Sequence, residues 1–259
     1  MLLVHGWAQS AACWSGQLDD AALTGRLRLA AVDLRGHGSS DAPADGYDDP
    51  ARWADDLWAV RLALGGGPVV LAGWSYGGLV IADHLARCGT ADVDGVLLVG
   101  AITGLGRGVA AGRIGPVMRA ALPAALSSDP AVARPALDTF VRGMTPAPLS
   151  PSTTSALVDA SMAVPPHVRA ALFDRVADGG GLVGALGTGG PPVLVQHGTA
   201  DPVVQVATAE HHLRVLPEAE ADLWEGAGHA PFLEDPARFG ETLLAFVRRC
   251  RATRERMAT

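Results

Sequence analysis

The 259-residue sequence predicts an α/β fold, and three observations carry that expectation. Apolar runs of four to seven residues alternate with longer stretches of helical period, the pattern of parallel strands joined by crossover helices. The runs are apolar or β-branched, and each ends near a Gly, Asp or His where a strand would feed a loop. The length suits one domain with room for an inserted subdomain.

Strands are accordingly expected over 2–4, 29–33, 68–72, 93–100, 192–197 and 218–224. A helix over 50–64 opens at Asp49-Pro50, places Trp53, Leu57, Val60 and Leu64 at helical spacing, and stops at Gly65-Gly66-Gly67. Similar patterns predict helices over 76–88 and 236–249. From about 103 to 190 the rhythm changes: short Ala-rich helical pieces are punctuated by Pro and Gly. The run from Gly179-Gly180-Gly181 to Gly189-Gly190 reads as a flexible exit. Eighty-odd residues exceed what a single crossover needs, so an inserted helical cap is expected. The organisation is then core over 1–102, cap over 103–190 and core over 191–259; ordinary crossover helices are the plainer alternative.

Composition narrows the chemistry. The formal net charge of −7 offers no broad attraction for phosphates, so neither nucleic acid nor an anionic membrane surface is an expected partner. All 20 basic residues are arginine, which excludes a Schiff-base lysine and a phosphate-loop lysine. Cys13, Cys88 and Cys250 are odd in number and widely spaced, suggesting neither a disulfide framework nor a zinc site. No apolar run approaches a membrane span and the N-terminus lacks a basic leader region, so a cytoplasmic protein is expected.

The strongest local motif is Gly73-Trp74-Ser75-Tyr76-Gly77-Gly78, placed directly after an apolar strand and directly before a helix. A bare G-x-S-x-G can be an ordinary glycine-rich turn, but the strand–turn–helix context is the one nucleophilic chemistry requires. A serine on so sharp a turn has strained backbone angles, flanking glycines let the neighbouring backbones pass, and the helix N-terminus faces a developing oxyanion. A nucleophilic serine needs a base, and His229 in Gly226-Ala227-Gly228-His229-Ala230-Pro231 follows the last predicted strand, at the same sheet edge. His5 and His197 read as residues pinning backbone, and His37 as part of a turn. His211 and His212 are adjacent on a predicted helix and cannot share a metal, and His84 stays unassigned. Asp201, in the loop after the fifth strand, would orient His229, and the order Ser75, Asp201, His229 suits such a triad. Its plainer role is to cap a following helix. Asp129 and Glu225 are weaker acids for that role.

An oxyanion hole needs backbone donors, and the N–H groups of Trp7 and Tyr76 are the candidates, with Gly6 permitting close approach. Trp7 and Trp74 could line an acyl pocket or simply fill the core. Gly104-Leu105-Gly106-Arg107-Gly108 lacks the spacing of a dinucleotide fingerprint. The arginines from Arg248 to Arg256 read as a solvated helix end in place of a nucleic-acid arm. No metal and no organic cofactor is expected, because no His/Asp cluster has ligand spacing.

These residues resemble the α/β-hydrolase superfamily, particularly its single-domain esterase and cofactor-free haloperoxidase-like branch with a helical cap. The matching pieces are His5-Gly6-Trp7, Asp33-Leu34-Arg35-Gly36-His37-Gly38-Ser39, the motif around Ser75, His197-Gly198-Thr199-Ala200-Asp201 and the loop around His229. The resemblance implies an α/β-hydrolase fold with nucleophile Ser75, acid Asp201, base His229 and oxyanion donors Trp7 and Tyr76. It implies a serine hydrolase acting on a small ester, lactone or thioester. C–C bond cleavage, perhydrolysis, or a ligand-binding protein without turnover are the alternatives. Met162, Phe173 and His167 are candidate residues of the cap over a small-molecule substrate. In that superfamily two strands usually precede the His-Gly motif, whereas four residues precede His5 here. The usual first two strands are therefore expected to be lacking, and a homo-oligomer is one way to cover the exposed edge.

Overall fold

The computed structural model describes residues 1–187 and 189–257. Its centre is a six-stranded sheet in the order β2-β1-β3-β4-β5-β6, and every neighbouring pair of strands is parallel. In chain order the elements begin with β1 (Leu2–Val4), the short helices α1 (Ser15–Leu18) and α2 (Ala21–Thr24), and β2 (Ala30–Val32). Then come α3 (Pro50–Ala63), β3 (Val69–Trp74), α4 (Tyr76–Cys88) and β4 (Val93–Val99). Five helices follow: α5 (Pro116–Ala125), α6 (Pro130–Gly143), α7 (Pro151–Ala163), α8 (Pro166–Asp174) and α9 (Gly180–Leu186). The chain closes with β5 (Val193–Gly198), α10 (Ala207–Val215), β6 (Glu220–Trp224), α11 (Pro231–Glu234) and α12 (Pro236–Met257). This is the α/β architecture expected from the sequence, a parallel sheet with its helices.

The topology places the site. From β1 the chain steps outward to β2 and then returns to the other side of β1 as β3, so the strand order reverses between β1 and β3. Loops leaving the carboxyl ends of such a pair diverge and open a crevice. The two loops in question are His5–Gln9 and the turn at Ser75. Central strands are buried on both faces: every residue of β1 and β5 is buried, as is β3 from Val70 onward. That explains why they read as continuous apolar runs.

Several boundaries differ from expectation. β3 runs to Trp74, which pairs with Val99 of β4, so the strand feeds Ser75 without an intervening loop. β6 begins at Glu220 because Ala219 N–H closes a turn onto the Leu216 carbonyl. The glycine-rich exit expected to be flexible is instead α9: Gly179, at φ +88°, turns the chain into the helix, and Leu182 and Leu186 are buried. Apolar side chains at that spacing outweigh the low helical propensity of the glycines; Thr188 lies outside the described residues. α12 extends past Arg249, with Arg249 bonded to Glu220 at 3.0 Å and Arg254 to Asp94 at 2.6 Å, so the arginine-rich tail is anchored to the sheet.

The residues between β4 and β5 carry helices α5 to α9 and, among the described residues, no strand beyond the isolated bridges Leu105–Ala177 and Ile114–Val204. Arg169 on α8 knits them together. Its guanidinium is buried and donates to the carbonyls of Ala125, Ser127, Ser161 and Val164, at 3.0, 3.1, 3.3 and 2.6 Å. Burial lowers its pKa, yet each of its three nitrogens finds an acceptor, which is what makes the burial tolerable.

Candidate active site

Ser75 sits between the end of β3 and the start of α4 with φ 54° and ψ −119°. Among the described residues, Ser75 and Ala8 are the two non-glycine residues at positive φ. They lie in the two loops that meet at the crevice, and such strain persists where surrounding packing over-determines it. The constraint on Ser75 is visible: its N–H donates to Val99 O at 3.0 Å, while its carbonyl accepts from Gly78 and Ile102. A Cβ at Gly77 would run into the carbonyl of Val4, and one at Gly73 would meet the backbone of Gly77 at 2.7 Å. Both motif glycines are therefore required by close backbone passage.

Across the crevice, a Cβ on Gly6 would lie 2.9 Å from Ser75 Cβ and 3.5 Å from Oγ, so the Gly6-Trp7 peptide stands against the serine side chain. Among the described residues the N–H groups of Trp7 and Tyr76 have no acceptor within the protein. Helices hold this loop from above. Trp7 Nε1 donates to Arg169 O at 3.0 Å, and Gln9 Nε2 donates to Ser161 Oγ at 2.9 Å.

The structure brings His229 and Asp201 together: Nδ1 lies 2.8 Å from Oδ2 in a buried contact. A carboxylate at Nδ1 requires the proton there, which leaves Nε2 as the basic nitrogen. Asp201 Oδ1 accepts from the N–H groups of Val203 and Val204, at 2.8 and 2.9 Å. Thus the acid does cap a turn, but not a helix, since α10 starts at Ala207. Burial alone would raise the Asp201 pKa; the bonds and charges of His229 and His197 overcome it and hold the carboxyl at about 2.

His197, expected only to pin backbone, does that and more. Its Nε2 bonds Val204 O at 2.9 Å and also lies 3.2 Å from Asp201 Oδ2. Two acceptors around one nitrogen fix the Nε2–H tautomer. The His-x-x-x-Asp spacing was the available signal. Glu234 was also missed: its carboxylate accepts from Gly228 N–H at 2.9 and 3.1 Å and so holds the loop before His229. Burial raises its pKa.

The histidine loop is fixed on two further sides. His229 N–H donates to Met144 O at 2.8 Å, and Trp74 Nε1 donates to His229 O at 2.8 Å. Trp74 is fully buried, its ring packing on His229, Phe232 and Trp14. Trp7 is buried as well, with the rings of Phe140 and Phe173 set edge-on to it at 5.7 and 5.4 Å. Phe173 is half-buried beside it, and Met162 is half-buried on α7. His167 is exposed and faces Tyr47 and Pro43, away from these rings.

The remaining histidines are structural. His5 accepts from Leu34 N–H through Nε2 and bonds Gly6 O through Nδ1; burial lowers its pKa to about 3. His37 bonds Arg35 O, and burial lowers its pKa to about 4. His84 meets Arg61 and the Ala54 carbonyl, and His212 meets Thr103 at 2.8 Å. His211, exposed to a greater degree, lies ring to ring with His212. Asp129 caps α6 and Glu225 is exposed, so neither rivals Asp201. No group of three or more His, Cys, Asp or Glu among the described residues could hold a metal ion, and no helix there is long and apolar enough to cross a membrane.

Comparison with known proteins gives the family. The family model described as "Alpha/beta hydrolase family" matches residues 1–242. The chain belongs to the α/β-hydrolase family. Among solved structures of that family, the esterase RhEst1 from Rhodococcus sp. ECU1013 superposes with a TM-score of 0.88 at 45% identity, covering 95% of this chain and 89% of that one. The pimeloyl-[acyl-carrier protein] methyl ester esterase of Nitrosomonas europaea is 29% identical over 255 residues, 92% of each chain. A shorter stretch of 101 residues is 38% identical to the AB hydrolase superfamily protein YisY of Bacillus subtilis, covering 39% of this chain and 37% of that protein. A non-heme haloperoxidase of Rhodococcus erythropolis matches over a similar stretch, so this α/β-hydrolase sits in the esterase and haloperoxidase-like branch.

Proposed function

We propose that this α/β-hydrolase is a serine esterase that cleaves a small carboxylic ester, lactone or thioester through an acyl-enzyme on Ser75. The observation that carries the reading is a buried His229–Asp201 pair, its protonation leaving His229 Nε2 basic, bonded through the His229 carbonyl to Trp74, the neighbour of the strained Ser75. Esterases among the relatives of similar length support it.

In this reading Ser75 Oγ attacks the carbonyl carbon while its proton passes to His229 Nε2. The resulting oxyanion accepts hydrogen bonds from Trp7 and Tyr76 N–H, which already point at no other acceptor. Asp201 holds the imidazolium through Nδ1–H. The C–O (or C–S) bond breaks, the leaving group takes the proton from His229, and water activated by the same nitrogen releases the acid. The helices over 103–190 act as the cap, fixing the oxyanion loop through Arg169 and Ser161. A peroxide in place of that water would yield a peracid, the second reading that the haloperoxidase relative favours.

Treatment with a fluorophosphonate followed by intact mass tests the assignment. One label per chain, lost in Ser75→Ala and in His229→Ala, is expected; labelling retained in Ser75→Ala would overturn it. Turnover of esters with and without peroxide separates the two reactions.

A further inference from the structure

Beside Phe173 the protein has a cavity of about 500 Å3 whose apolar wall includes Val109 and Leu122 and whose rim carries Arg107, Arg113 and Arg119. In a chain of net charge −7, Arg35, Arg87, Arg134, Arg142, Arg175 and Arg254 each meet a carboxylate, whereas no ion pair to any of the three exists among the described residues. No acidic residue lines the cavity. Arg119 spends one nitrogen on Ile114 O at 2.9 Å.

Phe173 links the cavity to the proposed acyl site. Phe173 packs edge-on against Trp7, whose N–H is a proposed oxyanion donor. The segment that leads into the cavity starts at the Ser75 turn: Ile102 N–H donates to Ser75 O, Thr103 and Gly104 N–H both donate to Ala111 O, and residues 105–109 and 112–114, which flank these bonds, line the cavity. An apolar wall ending in three unpaired guanidiniums suits an aliphatic chain that terminates in an anion, since guanidinium forks bind carboxylates in planar, bidentate fashion.

We propose that Arg107, Arg113 and Arg119 form an anion-recognition rim that selects esters whose acyl chain ends in a carboxylate. The inference rests on the serine-esterase reading and specifies its substrate class. The matched pair monomethyl adipate and dimethyl adipate, equal in length and different in charge, tests it. Wild-type kcat/KM is expected to favour the monomethyl ester by about tenfold or more, with a smaller preference at high salt. The Arg107→Gln/Arg113→Gln/Arg119→Gln variant should bring the ratio toward one, each single substitution should lower it in part, and Arg134→Gln, remote from the cavity, should not change it. Calorimetric binding of both esters to Ser75→Ala separates the two claims. Preferential binding of the anion without wild-type turnover would sink the esterase reading and keep the rim. Equal affinity for the two esters, or a ratio untouched by the arginine substitutions, overturns the rim.

Discussion

His197 Nε2 and His229 Nδ1 converge on one oxygen of Asp201, at 3.2 and 2.8 Å, so the acid that orients the proposed base is itself held by a second histidine. His197→Ala removes one of the donors to Oδ2 and leaves the Val204 carbonyl without its imidazole partner. We expect a stability loss of about 1–3 kcal/mol and a fall in kcat smaller than that of Asp201→Asn. For the latter, loss of the carboxylate disturbs the His229 tautomer, and a drop of about 10³–10⁴ in kcat is expected. Steady-state kinetics with urea unfolding measures both; equal kcat values in the two variants would refute the ranking.

Ser75 carries backbone strain that a glycine would not feel. Ser75→Gly and Ser75→Ala both remove the hydroxyl, so they differ only in the Cβ and the backbone freedom it restricts. Ser75→Gly should be the more stable by about 1 kcal/mol. Thermal unfolding of the pair checks this, and an alanine variant as stable as the glycine variant would show that the turn stores no strain.

Three buried histidines make the protein acid-sensitive. Burial lowers His5 and His212 to about 3 and His37 to about 4, from an ordinary value of 6.5. Below pH 6.5 the unfolded chain takes up protons that the folded chain does not, so stability rises with pH across the window from about 4 to 6.5 and is lost on acidification. The Asp201 carboxyl, held at about 2 against 3.8, adds a loss confined to the lower window between those two values. Urea midpoints measured from pH 8 to 4 should fall steadily below 6.5, less steeply in His212→Gln; a flat profile would contradict the burial of neutral imidazoles.

Arg169 on α8 ties the C-terminal ends of α5 and α7 to the Trp7 loop. Arg169→Met would leave the carbonyls of Ala125, Ser127, Ser161 and Val164 without this donor. A cost of about 3 kcal/mol or more follows from several buried acceptors going unpaired. Because Trp7 is positioned through the same helix, kcat should fall with it. Unfolding curves and ester turnover together decide: a variant that is destabilised yet fully active would uncouple the helices from the oxyanion loop.

Much of the site was legible in the sequence because it is built from short local motifs whose backbone demands certain residues. Gly73 and Gly77 are imposed by contacts with the Gly77 and Val4 backbones, so the tight turn at Ser75 can be read from five residues. His197–Asp201 illustrates the limit. Its spacing was on view, but whether the ring bonds only backbone or also the carboxylate depends on the turn that brings Val204 O and Oδ2 to one nitrogen. Helix α9 was misread because glycine content argues locally for a loop, while the burial of Leu182 and Leu186 is a tertiary fact.

The sequence by itself determined the α/β class, the succession of strands and helices along the chain and the residue types carried by the loops at the crevice, while the order of strands in the sheet came from the tertiary structure. Periodicity, glycine placement and residue identity are local properties that constrain local backbone. Tertiary structure alone decided which distant groups touch: Met144 with His229, Arg169 with Trp7, Glu234 with Gly228, and three unpaired arginines around one cavity. Such contacts depend on where packing sets each helix, and side-chain burial and hydrogen bonding across large sequence separations settle that position only once the whole core has formed.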